Sequence, residues 1–279
     1  MEFDYVIVGG GSAGSVLASR LSEDPTVQVA LIEAGPPDTS ALIHCPAGIA
    51  LMARTEIVSQ GLNTVPQPGL NGRIGFQPRG RTLGGSSSTN AMAYIRGQAV
   101  DYDTWAQMGC AGWSWAEVFP YFLKAEHNER IHNEWHAQNG PLNVADLQSP
   151  NAFSKRFVEA GMQAGLPLTT DFNGPTQEGV GLYQVTQKAG ERFSAAKAYL
   201  TQSGPPQLAR HDRRDGGPHW LGGWCGPASA HRAGWQDPDR DGPPRNHFER
   251  GRFPVARHPH AFGHWASGAF AKSWYRGAA

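Results

Sequence analysis

Tyr5-Val6-Ile7-Val8 runs straight into Gly9-Gly10-Gly11-Ser12-Ala13-Gly14, and few backbone arrangements accept that order. A short, continuous apolar run rich in β-branched residues suits a strand buried on both faces of a parallel sheet. The glycines fit G-x-G-x-x-G. Gly9 allows a tight turn, Gly11 lets the backbone approach a pyrophosphate, and Gly14 lets the next helix lie close to the strand. Val16, Leu17 and Leu21 then recur at helical spacing, with Arg20 and Glu23 on the other side. Ser12 and Ala13 open that helix, where unpaired N–H groups and a partial positive charge favour phosphate. Val27-Gln28-Val29-Ala30-Leu31-Ile32 reads as a second strand ending in Glu33, which can accept hydrogen bonds from a ribose hydroxyl and repel a 2′-phosphate. The plain alternative is a structural glycine turn beside an incidental acid. Strand, turn, helix, strand and acid in this order favour an adenine dinucleotide site in a Rossmann-like α/β domain. The motif does not separate FAD from NAD.

A second small-residue segment, Arg79-Gly80-Arg81-Thr82-Leu83-Gly84-Gly85-Ser86-Ser87-Ser88-Thr89-Asn90-Ala91-Met92, combines backbone donors, hydroxyls and cations. It suits a loop against a large, flat or anionic ligand. Composition alone fits a flexible glycine–serine linker equally well. Farther along, Val144-Ala145-Asp146 and Gly181-Leu182-Tyr183-Gln184-Val185-Thr186 read as strands, and residues 152–164 read as a helix. Trp113 and Trp115 are expected in the core, and His44 and Cys45 in a loop before Pro46. His132 and His136 stand at i, i+4 spacing, but no Glu follows the first as a zinc-protease helix requires. His136 is expected in a loop before Gly140-Pro141-Leu142, and no metal site is expected.

Composition narrows the partners. Lys plus Arg and Asp plus Glu both number 24 in 279 residues, leaving no excess charge for nucleic acid or an anionic membrane. No stretch nears the roughly 20 apolar residues of a transmembrane helix. No signal-peptide pattern precedes Tyr5, and three scattered cysteines (Cys45, Cys110, Cys225) fit a reducing compartment. A cytoplasmic globular protein is the expectation. From Gln202 onward, however, Leu208, Leu221 and Val255 are the only Leu, Ile, Val or Met residues, amid Arg, Gly, Pro, His and five tryptophans. So few aliphatics cannot offset the entropy of ordering the chain. This stretch reads as GC-rich coding sequence translated in the wrong frame, with a genuine disordered tail as the alternative. On either reading it is not expected to fold.

Several stretches together carry a family resemblance. They are Phe3-Asp4 with the first glycine motif, Leu31-Ile32-Glu33-Ala34-Gly35, Val65-Pro66-Gln67-Pro68-Gly69, residues 80–97, Asp171-Phe172-Asn173-Gly174, Gln177-Glu178-Gly179-Val180-Gly181 and Ser194-Ala195-Ala196-Lys197-Ala198-Tyr199-Leu200. Through them residues 1 to about 201 resemble the glucose–methanol–choline (GMC) oxidoreductases, particularly the bacterial choline and alcohol dehydrogenase branch. The resemblance implies FAD and a small-molecule alcohol oxidised to an aldehyde or ketone, with hydride passing to the flavin. The electron acceptor, oxygen or a carrier, stays open. It implies that Gly9, Gly11, Ser12, Ala13 and Gly14 hold the pyrophosphate, and Glu33 with Ala34 the adenosine ribose. Arg81, Thr82, Gly84, Gly85, Ser86 and Ser87, then Asn90, Ala91, Met92 and Ala93, are expected along the pyrophosphate and flavin ring. Thr89 stands where the family usually has an aliphatic residue and some members a flavin-linked histidine, so FAD is expected to be non-covalent.

The implied organisation is an FAD-binding domain over residues 1–149, the start of a substrate domain over 150–201, and the tail, 202–279. In the family, chain from beyond residue 201 completes the sheet, and its absence is expected to expose strand edges and apolar faces. The family's second signature and its late catalytic histidine are not found. His211, His219, His231, His247, His258, His260 and His264 lack the apolar setting of such a site. The expectation is therefore a truncated FAD-dependent alcohol dehydrogenase without its catalytic histidine, or alternatively a non-catalytic flavin-binding remnant.

Overall fold

The computed structural model describes residues 3–52, 55 and 57–202. The expected tail lies outside the described residues, apart from Gln202. Strand β1 (Tyr5–Val8), helix α1 (Ser12–Leu21) and strand β2 (Val29–Ile32) form the expected β–α–β unit. The strands run parallel, from Tyr5 opposite Val29 to Val8 opposite Ile32. Two single-turn helices, α2 (Ala41–His44) and α3 (Ile49–Met52), precede the antiparallel pair β3 (Leu62–Asn63) and β4 (Phe76–Gln77). Helices α4 (Ala99–Gln107) and α5 (Trp115–Ala125) lead into β5 (Glu126–Asn128), which pairs in parallel with β6 (Leu142–Val144). Helix α6 (Ala152–Gln163) and the hairpin β7 (Gln187–Lys188) and β8 (Glu191–Arg192) follow, before a wide π-helical turn at Ala196–Gln202.

Local chemistry accounts for the helix starts. Asp101 accepts the Gln98 N–H at 2.7 Å ahead of α4, and Glu117 accepts the Ser114 N–H at 3.0 Å ahead of α5. Each is a reciprocal box that satisfies donors no helical carbonyl can reach. Asn151 caps α6 by accepting the Phe153 N–H at 2.8 Å.

Several expectations need correction. β1 is not buried on both faces: Tyr5, Val6 and Val8 are exposed, because the strand has β2 on one side and no second neighbour among the described residues. The buried residues of the pair are Val29, Ala30 and Leu31. On α1 the buried face is Gly14, Ser15, Ala18 and Ser19, while Leu17 is 51% exposed. The helix lies too near the turn below it for large side chains to fit between. Residues 181–186 form no strand, since Val185 alone bridges Ala93 and Ala145 and so no ladder can grow. Trp113 is 42% exposed, at the rim of an aromatic cluster in which Trp115 stacks on Phe119 at 4.8 Å and Trp105 meets Trp113 edge-on. His44 closes α2 and does not sit in a loop. Phe153 and Phe157 on α6 are also exposed.

Distant segments build the core. Ala18, Leu31, Leu83, Ala196 and Leu200 form one cluster with Ile7 against it. Phe193, Ala195, Ala198 and Tyr199 form a second, with Val16 and Leu142 alongside. Each fully buried large apolar side chain contributes about 1.5–3 kcal/mol. Residues 193–200 thus seal the β–α–β unit.

A buried ionic network ties β5 to the chain on either side. Arg96 Nη2 meets Glu126 Oε2 at 2.7 Å, and Arg96 Nη1 donates to Trp135 O at 2.8 Å. The other Glu126 oxygen lies 2.8 Å from His136 Nδ1, and His136 Nε2 lies 3.0 Å from Asp171 Oδ2. His136 is in a loop as expected, but buried. With both ring nitrogens facing carboxylates, the imidazolium fits and the two cations balance the two anions. Burial opposes the charge on His136, but the hydrogen bonds and charges of Glu126 and Asp171 outweigh it and raise the imidazole above 6.5. Burial also opposes the Glu126 charge, yet bonds from His136 and Asn128 and the charge of Arg96 hold its carboxyl below 4.5.

Glu126→Gln leaves Arg96 buried without its counter-charge and is expected to cost about 3 kcal/mol in a urea titration. The signs of the two shifts also set the pH profile. The His136 contribution is complete below 6.5 and is lost as pH rises through its raised value. The Glu126 contribution is complete above 4.5 and is lost as pH falls through its lowered value. Melts taken between about pH 5 and pH 9 should therefore decline on the alkaline side, and His136→Asn should flatten that limb. An unchanged slope in the variant would place the titration elsewhere.

Candidate functional site

Gly9 turns the chain out of β1 with φ +99°, a left-handed value that side chains avoid. A methyl group on Gly14 would stand 1.9 Å from Gly9 O, so α1 rests on the turn at a distance only glycine permits. Gly11 has the opposite surroundings: nothing lies within 4 Å of where its Cβ would be. It caps α1 with no side-chain hydrogen bond, and the first turn holds no acidic residue. Ser12 and Ala13 are exposed there, leaving the positive end of the helix open.

The second glycine segment closes over this turn. Gly84 N–H donates to Gly10 O at 2.7 Å, and a methyl group on Gly85 would lie 2.8 Å from Gly11 Cα. Thr82 Oγ1 and Leu83 N–H both reach Pro36 O, at 2.9 and 3.0 Å. Gly35 passes within a methyl group's overlap of the Arg81 carbonyl. Glu33 links the parts: Oε2 accepts Gly10 N–H and Oε1 accepts Gly35 N–H, both at 2.7 Å. An ionised carboxylate has about four acceptor positions, so each oxygen retains one for a ribose diol. Ala34 is exposed beside it.

The chain continues through a short 3₁₀ turn, Gly85–Ser88. Ser87 Oγ donates to Gly84 O at 2.6 Å and accepts Ala195 N–H at 3.0 Å. Ser86 Oγ accepts Gly80 N–H at 3.2 Å. Asn90 Oδ1 accepts Met92 N–H at 3.0 Å, and Met92 is held at φ +63° with its side chain buried. Ala91 and Ala93 are exposed, and Ala93 bridges Val185. The structure therefore brings the two glycine segments and Glu33 together, with 86–93 as their continuation. Arg81 is exposed, and its backbone N–H donates to Val58 O at 2.7 Å. An open helix end, free space over Gly11 and an adjacent carboxylate fit the diphosphate and ribose of an adenine dinucleotide.

Sequence reasoning missed Arg192. It is buried, with Nε donating to Ile43 O at 2.8 Å and Nη1 to Asn90 O at 2.7 Å and Asn90 Oδ1 at 2.9 Å. Burial pushes its guanidinium down to about 10. Between Glu191 and Phe193 it reads as a surface residue, and no local pattern marks it. Gly10 was also missed, although it touches Glu33 through its N–H and Gly84 through its carbonyl.

Comparison with known proteins agrees with this geometry. Residues 3–205 match the family described as GMC oxidoreductase. The chain is 54% identical over 199 residues to an alcohol dehydrogenase [acceptor] of Pseudomonas putida, covering 71% of this chain and 36% of that protein. It is 46% identical over 200 residues to an oxygen-dependent choline dehydrogenase of Brucella ovis, covering 72% and 36%. The chain thus matches little more than a third of the length of these relatives. Among solved structures, pyridoxine 4-oxidase from Mesorbium loti superposes with a TM-score of 0.68 at 38% identity, over 72% of this chain and 40% of that one. An FAD-dependent oxidoreductase from Chaetomium thermophilum superposes with a TM-score of 0.64 at 32% identity, over 71% and 36%.

Gly14→Ala should force α1 off the turn and lower the urea unfolding free energy by about 1–3 kcal/mol. A midpoint equal to wild type would mean that the helix and the Gly9 carbonyl do not approach as closely as described.

Proposed function

The chain belongs to the GMC oxidoreductase family, and from that premise we propose that it binds FAD across its two glycine segments, in the service of oxidising the CH–OH group of an alcohol. The observation that carries this reading is the Gly84–Gly10 backbone contact. It joins an open helix N-terminus to a second glycine loop and leaves Gly11 uncovered. FAD is the cofactor that the family and the FAD-dependent structural neighbour support. In this reading the N–H groups of Ser12 and Ala13 hold the diphosphate, with Gly84 and Gly85 closing the opposite side. Glu33 accepts from the ribose and repels a 2′-phosphate. The 90–93 segment braces the flavin end. When bound, FAD supplies the acceptor for the carbinol hydride, while the hydroxyl proton goes to a base.

The substrate is proposed as a small-molecule alcohol because the relatives above are named for alcohol and choline, and the electron acceptor is left open by those names. We place the start of the substrate domain near residue 150 and the protein in the cytoplasm, the latter on its scattered cysteines. Thr89 lacks the ring nitrogen of a histidyl–flavin bond, so attachment is non-covalent. We also propose that no histidine of this chain, those after residue 202 included, serves as the catalytic base, so that the polypeptide binds flavin without turning alcohol over. His136, for one, is engaged by Glu126 and Asp171.

The test is the visible spectrum of the 279-residue chain after gel filtration with added FAD. Wild type should carry flavin and release it on denaturation. Gly11→Ala should fold normally, since its methyl group meets no protein atom within 4 Å, and should lose FAD affinity about ten-fold or more. A wild-type chain that takes up no flavin overturns the reading. Alcohol-dependent bleaching under anaerobic conditions would overturn the missing base and leave the flavin site standing.

A further inference from the structure

Two arginines are buried among the described residues, and their electrostatic situations differ. Arg96 has its counter-charge at 2.7 Å in Glu126, although its Nε, like Arg192 Nη2, has no hydrogen-bond partner. Arg192 makes no ion pair with any described residue. Asp38, which accepts from Ser194 Oγ at 3.5 Å, feels the charges of His44 and Lys197 and not that of Arg192. Carbonyl and amide oxygens of Ile43, Ser87 and Asn90 receive Nε and Nη1, yet Nη2 is buried without a hydrogen-bond partner. A buried cation lacking a counter-ion is strongly unfavourable, and an unsatisfied charged donor adds to that cost.

The fold nevertheless holds Arg192 firmly in this position. The β7–β8 hairpin turns through Ala189 and Gly190 at φ +51° and +80°, the double left-handed form of a tight two-residue turn. Alanine adopts such a value at a cost. The hairpin registers Arg192 opposite Gln187, and Phe193 and Ala195 beyond it are locked in the core. The guanidinium fork spans Asn90 O, Asn90 Oδ1 and, at 3.4 Å, Ser87 O. Both residues lie in the segment that continues the glycine site.

We propose that Arg192 is the counter-cation of the FAD site, its buried charge and free Nη2 completed by a negatively charged group of the bound dinucleotide. This rests on the FAD reading above. The shared chemistry is an anionic oxygen or electron-rich heteroatom accepting from Nη2. Two parts of FAD can supply it: the diphosphate, or the electron-rich heteroatoms of the flavin ring, which gain negative charge on reduction. Arg192 is therefore both a binding residue for the cofactor and a positioning residue for the 87–90 backbone.

The experiment is FAD titration of the full chain by flavin fluorescence, for wild type, Arg192→Lys and Arg192→Met. Melts and far-UV circular dichroism of the FAD-free proteins accompany it. Arg192→Met should weaken FAD at least about ten-fold and flatten the salt dependence of binding, whereas Arg192→Lys, which keeps the charge, should stay within about three-fold of wild type. ADP competition separates the two sources. An equal loss for ADP assigns the diphosphate. Unchanged ADP binding with a lowered flavin midpoint potential assigns the ring. A folded Arg192→Met chain that binds FAD like wild type overturns the proposal. Should Arg192→Met not fold, Arg192→Lys decides: near-wild-type affinity upholds the counter-charge, and a ten-fold loss reduces the guanidinium to a structural brace. A wild-type chain that binds no FAD defeats the earlier reading instead, and is told apart by that result alone.

Discussion

The Gly84 N–H to Gly10 O bond joins two turns that are far apart in the chain, and both the candidate cofactor loop and the core beneath it are arranged around it. Residues 83–85 lie this close to the first turn because a side chain on Gly10 would press on Leu83 and Glu33, and because Gly85 itself adds no side chain toward Gly11. Leu83, carried there by the same contact, drops into the core with Ala18, Leu31, Ala196 and Leu200. Forming the cofactor loop and closing the core are thus one packing event. A cavity or an added methyl group at this seam is felt by both, because protein interiors are packed to crystal-like density.

The first turn was legible because its chemistry is local. The order strand, glycines, helix, strand and acid appears within the first 33 residues, and the structure returns it as a parallel β–α–β unit whose second strand begins at Val29 and not at Val27. Helix α6 ends one residue earlier than its pattern suggested. What failed did so where distance in space replaces distance along the chain. The spacing of Val16, Leu17 and Leu21 pointed to a large apolar face on α1, but close approach to Gly9 selects the small residues Gly14, Ser15 and Ala18 for the contact. Residues 181–186 have the alternation of a strand, yet Val185 finds single partners in two different segments.

The polar network was invisible for the same reason. Arg96, Glu126, His136 and Asp171 are spread over 76 positions, and no pairwise spacing among them matches a motif. His132 and His136 have the i, i+4 spacing of a metal-binding helix without its Glu, and nothing local shows that His136 is held by two carboxylates brought in by β5 and by the loop at Asp171. Its charge state follows from those neighbours. Sequence can nominate a titratable residue, but the sign of its shift depends on which charges the fold sets against it.

The two buried arginines then separate two ways of accommodating charge. Around Arg96 the fold supplies the anion, so the charge is balanced by the protein itself even though Nε lacks a hydrogen-bond partner, and the network ties 126–136 to 96 and 171. Around Arg192 the fold supplies only oxygen dipoles, at Ile43, Ser87 and Asn90, and leaves one nitrogen unmet. On the proposal above, a dinucleotide that brings negative charge into that neighbourhood is bound partly by relieving the cost of the unpaired guanidinium. Ligand and fold are coupled there by mass action, since a group that binds the native state alone stabilises it. The same guanidinium that is unfavourable in the free chain fixes Asn90 and Ser87 in place, so preorganisation of the loop and attraction for the anion share one side chain. This explains why a strained hairpin turn at Ala189 persists just ahead of it: the turn sets the register that carries Arg192 inward.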